Sequence, residues 1–228
     1  MDFFPLYNSI RIALISTFFT FFLGIFAAYY IKKLPNTLKG ILDVILTLPL
    51  VLPPTVIGFF ILKILGPNGS IGNFFLENFN IRLVMNWYSA IFATIIVTFP
   101  LMYRTARGAF EAFDENLKFV AQTLGKSNTW IFWKIIMPNS KKGILAGVVL
   151  SFARALGEYG ATSMVSGYTS GKTATISTTV YQLWRTGEDL LAYKWVLINI
   201  LISFSVLIVI NLLEKSDNKN YHKGQDLV

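Results

Sequence analysis

Apolar residues in this chain gather into five long runs, approximately Ser9 to Ile31, Ile41 to Leu65, Asn86 to Ala106, Ile144 to Val165 and Leu191 to Leu213. A helix needs roughly 20 residues to cross a hydrocarbon core about 30 Å thick, and every run reaches that length. None alternates as a barrel strand would, and lipid gives backbone groups no partner, so helices are expected. The predicted fold class is an all-α integral membrane protein with about five transmembrane helices. Between the third and fourth runs lies the longest amphipathic interval, about residues 108–143. In it Leu117, Val120, Ala121 and Leu124 recur at the spacing of one helix face. Gly125 is suited to end that helix in the left-handed conformation. Ser127 or Asn128 can cap a second helix, in which Trp130, Trp133 and Met137 share a side before Pro138 stops it.

Punctuation within the runs adds detail. The first ends at Tyr29-Tyr30 and Lys32-Lys33, an interfacial aromatic pair followed by snorkelling lysines. The second contains Pro49, Pro53 and Pro54, each of which removes a backbone donor and clashes with the preceding turn. A static kink and a bend lining a pathway are both open readings, since freed carbonyls at membrane depth must face protein or a watery cavity. Gly66-Pro67-Asn68-Gly69 is a turn, a short apolar patch follows at Phe74 to Leu76, and Trp87 and Tyr88 anchor the third run. The polar tail, residues 214–228, is expected to be disordered.

Composition agrees. Hydrophobic residues make up 54% of the chain and charged residues 14%, where a soluble domain has roughly 25% charged. Asp2 in place of a basic start, and a long first run with no small-residue cleavage site, argue against a removable signal. There is no cysteine and a single histidine, His222, so neither disulfides nor a metal site are expected. The net charge of +8 suggests nucleic acid only until its positions are read. Lys32, Lys33, Lys39, Arg104, Arg107 and the lysines of the amphipathic interval and tail fall on one side of the membrane. Fewer basic residues, Arg11, Lys63, Arg82, Lys172, Arg185 and Lys194, fall on the other. The positive-inside rule then places the N-terminus outside, and the amphipathic loop and C-terminus in the cytoplasm.

Arg154 lies in the fourth run, where an arginine costs about 2.5–3.5 kcal/mol on insertion scales. Glu158, one helical turn on, shares its face and is placed to pair with it. The pair either fixes packing or lines a pathway for an anion; the sequence leaves both open. Gly143 and Gly147 have the small-residue spacing of close helix packing, and Gly157 and Gly160 are read the same way. Gly167-Tyr168-Thr169-Ser170-Gly171-Lys172-Thr173 imitates a phosphate-binding loop but has three residues between its glycines where the motif needs four. It is read as a flexible outer loop. No nucleophile–base set or carboxylate pair points to catalysis, so the chain is expected not to be an enzyme.

Ala121, Gly125, Ile135 and Pro138, with the glycine thirteen residues before the proline, resemble the cytoplasmic coupling loop of ABC importer permeases. Two further stretches, Leu48 to Gly58 (carrying Pro49, Pro53 and Pro54) and Phe152 to Ala161 (carrying Arg154 and Glu158), resemble permeases for tetrahedral oxyanions. Phe99 to Arg104 and the short chain look most like the molybdate members. The resemblance covers nearly the whole chain and implies one permease domain, residues 1–228, of the type I importer fold in the cell membrane. It implies that Leu117, Lys118, Phe119, Val120, Ala121, Gln122, Thr123, Leu124 and Gly125, with Pro138, form the coupling element that docks on an ATPase. Pro49, Pro53, Pro54, Arg154 and Glu158 become candidates for the pathway. The implied partners are a second copy of the chain, two ABC ATPase subunits that hold ATP–Mg, and an extracytoplasmic oxyanion-binding protein. No cofactor is expected on this chain. Molybdate import is the leading reading, with tungstate inseparable from it. Sulfate or thiosulfate import is the alternative within the family, disfavoured by the chain's shortness. A stand-alone carrier or channel, and a scaffold whose loop merely lies on lipid, leave the Gly-to-Pro spacing unexplained.

Overall fold

Small residues repeat every four positions along the first helix, at Ser16, Thr20, Gly24 and Ala28, and this stripe sets how the chain packs. In the computed structural model, which describes the backbone of residues 2–225 and the side chains of residues 2–208, every regular element is helical. The elements are α1 (Phe4–Ile31), α2 (Asn36–Val51), α3 (Pro54–Leu65), α4 (Ser70–Phe79), α5 (Trp87–Glu111), α6 (Glu115–Thr123) and α7 (Asn128–Ile131). A π turn (Phe132–Ile136) follows, then α8 (Met137–Asn139), α9 (Lys141–Leu156), α10 (Gly160–Val165), α11 (Ile176–Arg185) and α12 (Asp189–Gln225).

The chain divides into two units, Met1–Thr175 and Ile176–Val228. In the first, α5 is the central post, packed by α1 on one side and α9 on another. The α1 stripe lets the two backbones approach. Ser16 Oγ donates to the Ile91 carbonyl at 3.3 Å, Thr20 and Thr98 hydroxyls meet at 3.2 Å, and a Cβ on Gly24 would stand 2.6 Å from Met102 Cγ. Gly143 and Gly147 do the same for α9, facing Ala109 and Thr105 of α5, as their spacing predicts. Asn86 N donates to Ser89 Oγ at 3.3 Å and so helps start α5; Pro100 is buried inside that helix without interrupting it. The second unit is a pair, α11 packed on α12.

Among the described residues, three helices are long and apolar enough to cross a membrane: Phe4–Ile31, Trp87–Glu111 and Asp189–Ile208. The second predicted run is two helices, α2 and α3, bent by 107° at Leu52-Pro53; counted as one broken span they make a fourth. Of the three prolines only the Pro53-Pro54 pair breaks the chain, because Pro53 sits before α3 and Pro54 occupies its first position, where a missing N–H costs nothing. Pro49 remains inside α2.

The fourth predicted run is not one helix. α9 stops at Leu156, and Gly157 to Tyr159 separate it from α10. The Glu158 carboxylate accepts from Ala161 N at 2.8 Å, a local bond that replaces the helical one and starts α10 afresh. Gly157 has no close neighbour beyond the Ala153 carbonyl at 3.9 Å, so its expected packing role is not observed; Gly160 alone fills it, 3.0 Å from Pro54 by its would-be Cβ. The apolar patch at Phe74 to Leu76 lies within α4. Polar residues beyond Glu214 continue α12 in helical form as far as Gln225, since extending an existing helix is far easier than nucleating one; residues 226–228 of the predicted tail lie outside the described residues.

Candidate functional site

The amphipathic interval builds a bracket at the C-terminal end of α5. Asp114 caps α6, its Oδ1 accepting from Asn116 N at 2.9 Å. At the other end Gly125 adopts φ +73°, Gly125 N donates to the Gln122 carbonyl and Lys126 N reaches back to the Ala121 carbonyl at 3.1 Å. This closes the helix in the left-handed manner its glycine predicts. Ser127 caps α7 by accepting from Trp130 N at 3.3 Å.

The faces of α6 differ from the sequence expectation. Ala121 is 4% exposed and belongs to the core formed with Ile25, Met102, Tyr103, Phe110, Ile131, Phe132 and Ile136. Leu117, Val120 and Leu124 are 45%, 58% and 71% exposed, and Phe119 stands out beside them. Ala121 therefore does not share the outer face. It is the small residue that lets α6 rest on the bundle, while the larger apolar side chains point away. Gln122 and Thr123 are exposed.

Pro138 does not end the second helix. The chain passes through a π turn, Met137 N bonding to the Phe132 carbonyl, and continues to Asn139. A proline lacks its N–H and crowds the carbonyl four residues back, and the wider turn gives it room. The extra residue also rotates the helix, so Met137 turns toward the core while Trp130 and Trp133 stay exposed. Inside the bracket, Phe132 rests on Tyr29 with ring centroids 4.5 Å apart.

Ion pairs bolt the bracket to the bundle. Lys32 Nζ donates to the Phe110 carbonyl and to Glu115 Oε1, both at 2.6 Å, and Lys118 Nζ reaches Glu115 Oε2 at 3.1 Å. The Lys32 bond holds the Glu115 carboxyl below the usual glutamate range; partial burial opposes this and Lys118 adds to it. A second network ties α2 to α5. Tyr103 Oη donates to Asp43 Oδ1 at 2.7 Å, Arg107 pairs with Asp43 and donates through Nε to Glu111 at 2.9 Å, and Lys39 reaches Glu111 at 2.7 Å. Asp43 is not among the residues that sequence pattern singles out. A lone carboxylate inside a predicted membrane run was the signal available, because such a group demands a partner.

The pathway candidates fall elsewhere. Ile57, Ile61, Val84, Ala93, Val97, Ala161 and Val165 form a separate core on the N-terminal half of α5. There α3 and α10 pack closely: a Cβ on Gly58 would stand 2.9 Å from Ala161 Cα, and Gly160 meets Pro54 and Thr55. The two helix breaks thus lie side by side. Arg154 Nη1 stands 2.6 Å from Glu158 Oε2, as the spacing predicts, though not aligned as a hydrogen bond. The Glu158 side chain is 1% exposed and the Arg154 side chain 34%. The imitation phosphate loop is pinned at its far end. Asn8 Nδ2 donates to the Thr173 and Ala174 carbonyls at 3.2 and 2.9 Å, and Thr169 N donates to Thr173 Oγ1 at 2.9 Å. No cluster of His, Cys, Asp or Glu suited to a metal occurs among the described residues.

Helices α1, α9 and α10 thus pack around one continuous post, with an apolar bracket outside its end. Residues 20–216 match the family described as binding-protein-dependent transport system inner membrane component, and the chain belongs to that family. It is 36% identical over 202 residues to the molybdenum transport system permease protein ModB of Escherichia coli (strain K12), covering 88% of each chain. It is 35% identical over 191 residues to the sulfate transport system permease protein CysW of Synechococcus elongatus, covering 84% of this chain and 66% of that longer one. Its fold matches a chain of a bacterial ABC transporter involved in the import of the polysaccharide alginate, with a TM-score of 0.77 at 16% identity, over 93% of this chain and 78% of that one.

Proposed function

We propose that this chain is the non-catalytic permease subunit of an ATP-driven importer of molybdate, with tungstate carried alike. The observation that carries the reading is the bracket. Leu117, Phe119, Val120 and Leu124 on α6, with Trp130 and Trp133, stand exposed on a segment whose inner side is already packed and ion-paired. Exposed large apolar side chains on a segment outside the predicted spans suit contact with a partner. Family membership supports an ABC ATPase as that partner, and the match to ModB, at 36% identity over 88% of each chain, supports molybdate as the substrate.

In this reading residues 1–228 form one permease domain of five spans in the inner membrane. α1, the bent pair α2–α3, α5, the broken pair α9–α10 and α12 cross, with the N-terminus outside and the bracket inside. The domain pairs with a second copy, and two ATPase subunits holding ATP–Mg grip the two brackets from the cytoplasm. A binding protein delivers the anion outside. Because Ala121, Ile131, Phe132 and Ile136 share a core with α1 and α5, a pull on α6 is transmitted as rigid-body movement of those helices. At the other end of α5, the adjoining breaks at Pro53-Pro54 and Gly157 to Tyr159 give the pathway its deformable part. Arg154, partly exposed and paired with Glu158, supplies positive charge for a dianion there.

The test is uptake of molybdate by vesicles holding the whole complex, with competing sulfate. ATP-dependent uptake that sulfate does not suppress is expected. Uptake without the ATPase subunits refutes the coupling, and equal competition by sulfate refutes the substrate.

A further inference from the structure

The end of α1 carries more positive charge than its own packing uses. A cavity of about 220 Å³ opens where α1, α5 and the bracket meet, lined by Lys32, Lys33, Lys118 and Glu115 over a floor that includes Tyr29 and Phe113. Three ammonium groups face one carboxylate. Both Glu115 oxygens are taken, one by Lys32 and one by Lys118, so the single acid is spent on holding the bracket. Lys33 is exposed and pairs with no carboxylate among the described residues; its Nζ lies 3.7 Å from the Tyr29 ring centroid. The cavity therefore keeps a net charge of two positive groups. For comparison, the equally large cavity beside Gly66-Pro67 holds a single lysine, Lys63.

We propose that this cavity binds the phosphate of an anionic phospholipid. Its position commits it to that class. Lys32 is the first residue beyond α1, a span long and apolar enough to cross the bilayer, so the three ammonium groups sit at headgroup depth. A basic pocket between membrane helices at this level suits a phosphodiester, and the tyrosine and phenylalanine floor suits the glyceryl and upper acyl carbons. Bound there, the phosphate bridges the end of α1 to α6 through Lys33 and Lys118, adding a lipid-dependent strut to the seat of the bracket. The proposal needs only that α1 spans a membrane; it does not depend on which anion the protein carries.

The test uses the full chain in detergent, with retained lipid read by native mass spectrometry after exposure to phosphatidylglycerol, phosphatidylcholine or inorganic phosphate. Wild type is expected to retain phosphatidylglycerol over phosphatidylcholine. Lys33→Gln with Lys118→Gln should lower that retention about thirtyfold, the combined effect of two basic residues near the headgroups. Lys33→Gln alone removes no internal ion pair, so it gives a folded variant with a smaller loss, and Lys33→Arg should restore binding. Lys63→Gln, the same charge change elsewhere, should leave retention unchanged. Millimolar inorganic phosphate that displaces the lipid supports the phosphate chemistry and makes the free ion a second source. Phosphate without effect confines the site to lipid. Equal retention of the two lipids, or retention unchanged in the double variant, overturns the proposal.

Discussion

The two ends of α5 solve opposite problems. At the N-terminal half, polar and charged groups are hidden: Glu158 is buried, Thr94 and Thr98 are fully enclosed, and glycines bring α3 and α10 into backbone contact. At the C-terminal end, apolar groups are displayed: Leu124, Val120 and Phe119 stand in the open on a bracket that is itself firmly seated. The first region spends local order to create breaks inside the bundle. The second spends apolar surface to create a handle outside it. Substitutions should therefore act differently at the two ends, on stability at one and on partnership at the other.

The sharpest test of the buried end is Gly58→Val. Its Cβ alone would stand 2.9 Å from Ala161 Cα and 2.8 Å from Met164 Cβ, and such overpacking costs about 3 kcal/mol, so the thermal midpoint of the purified chain should fall steeply. Next is Glu158→Ala, which uncaps α10 and leaves Arg154 unpaired. Because Arg154 is partly exposed, about 2 kcal/mol is expected, again read as a lowered midpoint, and Glu158→Gln should recover part of it by keeping the Ala161 bond. An unchanged midpoint in Glu158→Ala would erase the contrast between the two ends.

At the displayed end the effects shrink in stability and grow in coupling. Gly125→Val meets no neighbour within 4 Å but must hold φ +73°, a strain of about 1–2 kcal/mol confined to the end of α6. The subunit should stay folded while ATP hydrolysis in the complex no longer drives uptake; normal coupling would count against the bracket. Glu115 has a folded pKa below its unfolded one, so its bond to Lys32 stabilises at neutral pH and fades as pH falls through the lowered value. Wild type should lose more thermal stability than Lys32→Gln as pH drops past the usual glutamate range, by under about 1 kcal/mol given the exposure of the pair. Smallest in stability is Leu117→Ser with Leu124→Ser, which should leave the midpoint unchanged and yet release the ATPase on purification. Intact co-purification would remove the main support for docking.

Much of this arrangement is legible in the sequence. Length and periodicity marked α1, α5 and the apolar part of α12, because a lipid-spanning helix writes itself in consecutive residues. Gly125 marked the end of α6, and Ser127 or Asn128 the start of α7, for the same local reason. Misreadings arose wherever a distant atom intervened. Arg154 and Glu158 do meet, yet the helix between them stops, since the Glu158 carboxylate prefers the Ala161 N–H. Ala121 fits the apolar face of α6 by spacing and is claimed instead by the core beneath it. Pro138 reads as a stop, and a π turn carries the chain past it. Asp43 escaped notice because its partners Tyr103 and Arg107 are some sixty residues away.

By itself, then, the sequence determined that this chain lives in a membrane, that an amphipathic segment interrupts its apolar runs, and where that segment's first helix ends and its second begins. Those features depend on residues within a turn or two of one another, where spacing, caps and backbone preference act directly. The tertiary structure alone decided which side of α6 faces out, that Gly160 meets Pro54 so that two breaks adjoin, and that Lys32 reaches Glu115 to seat the bracket. Contacts between residues far apart in the chain exist only once helices have packed, and no local pattern encodes which of several small or charged residues will find each other.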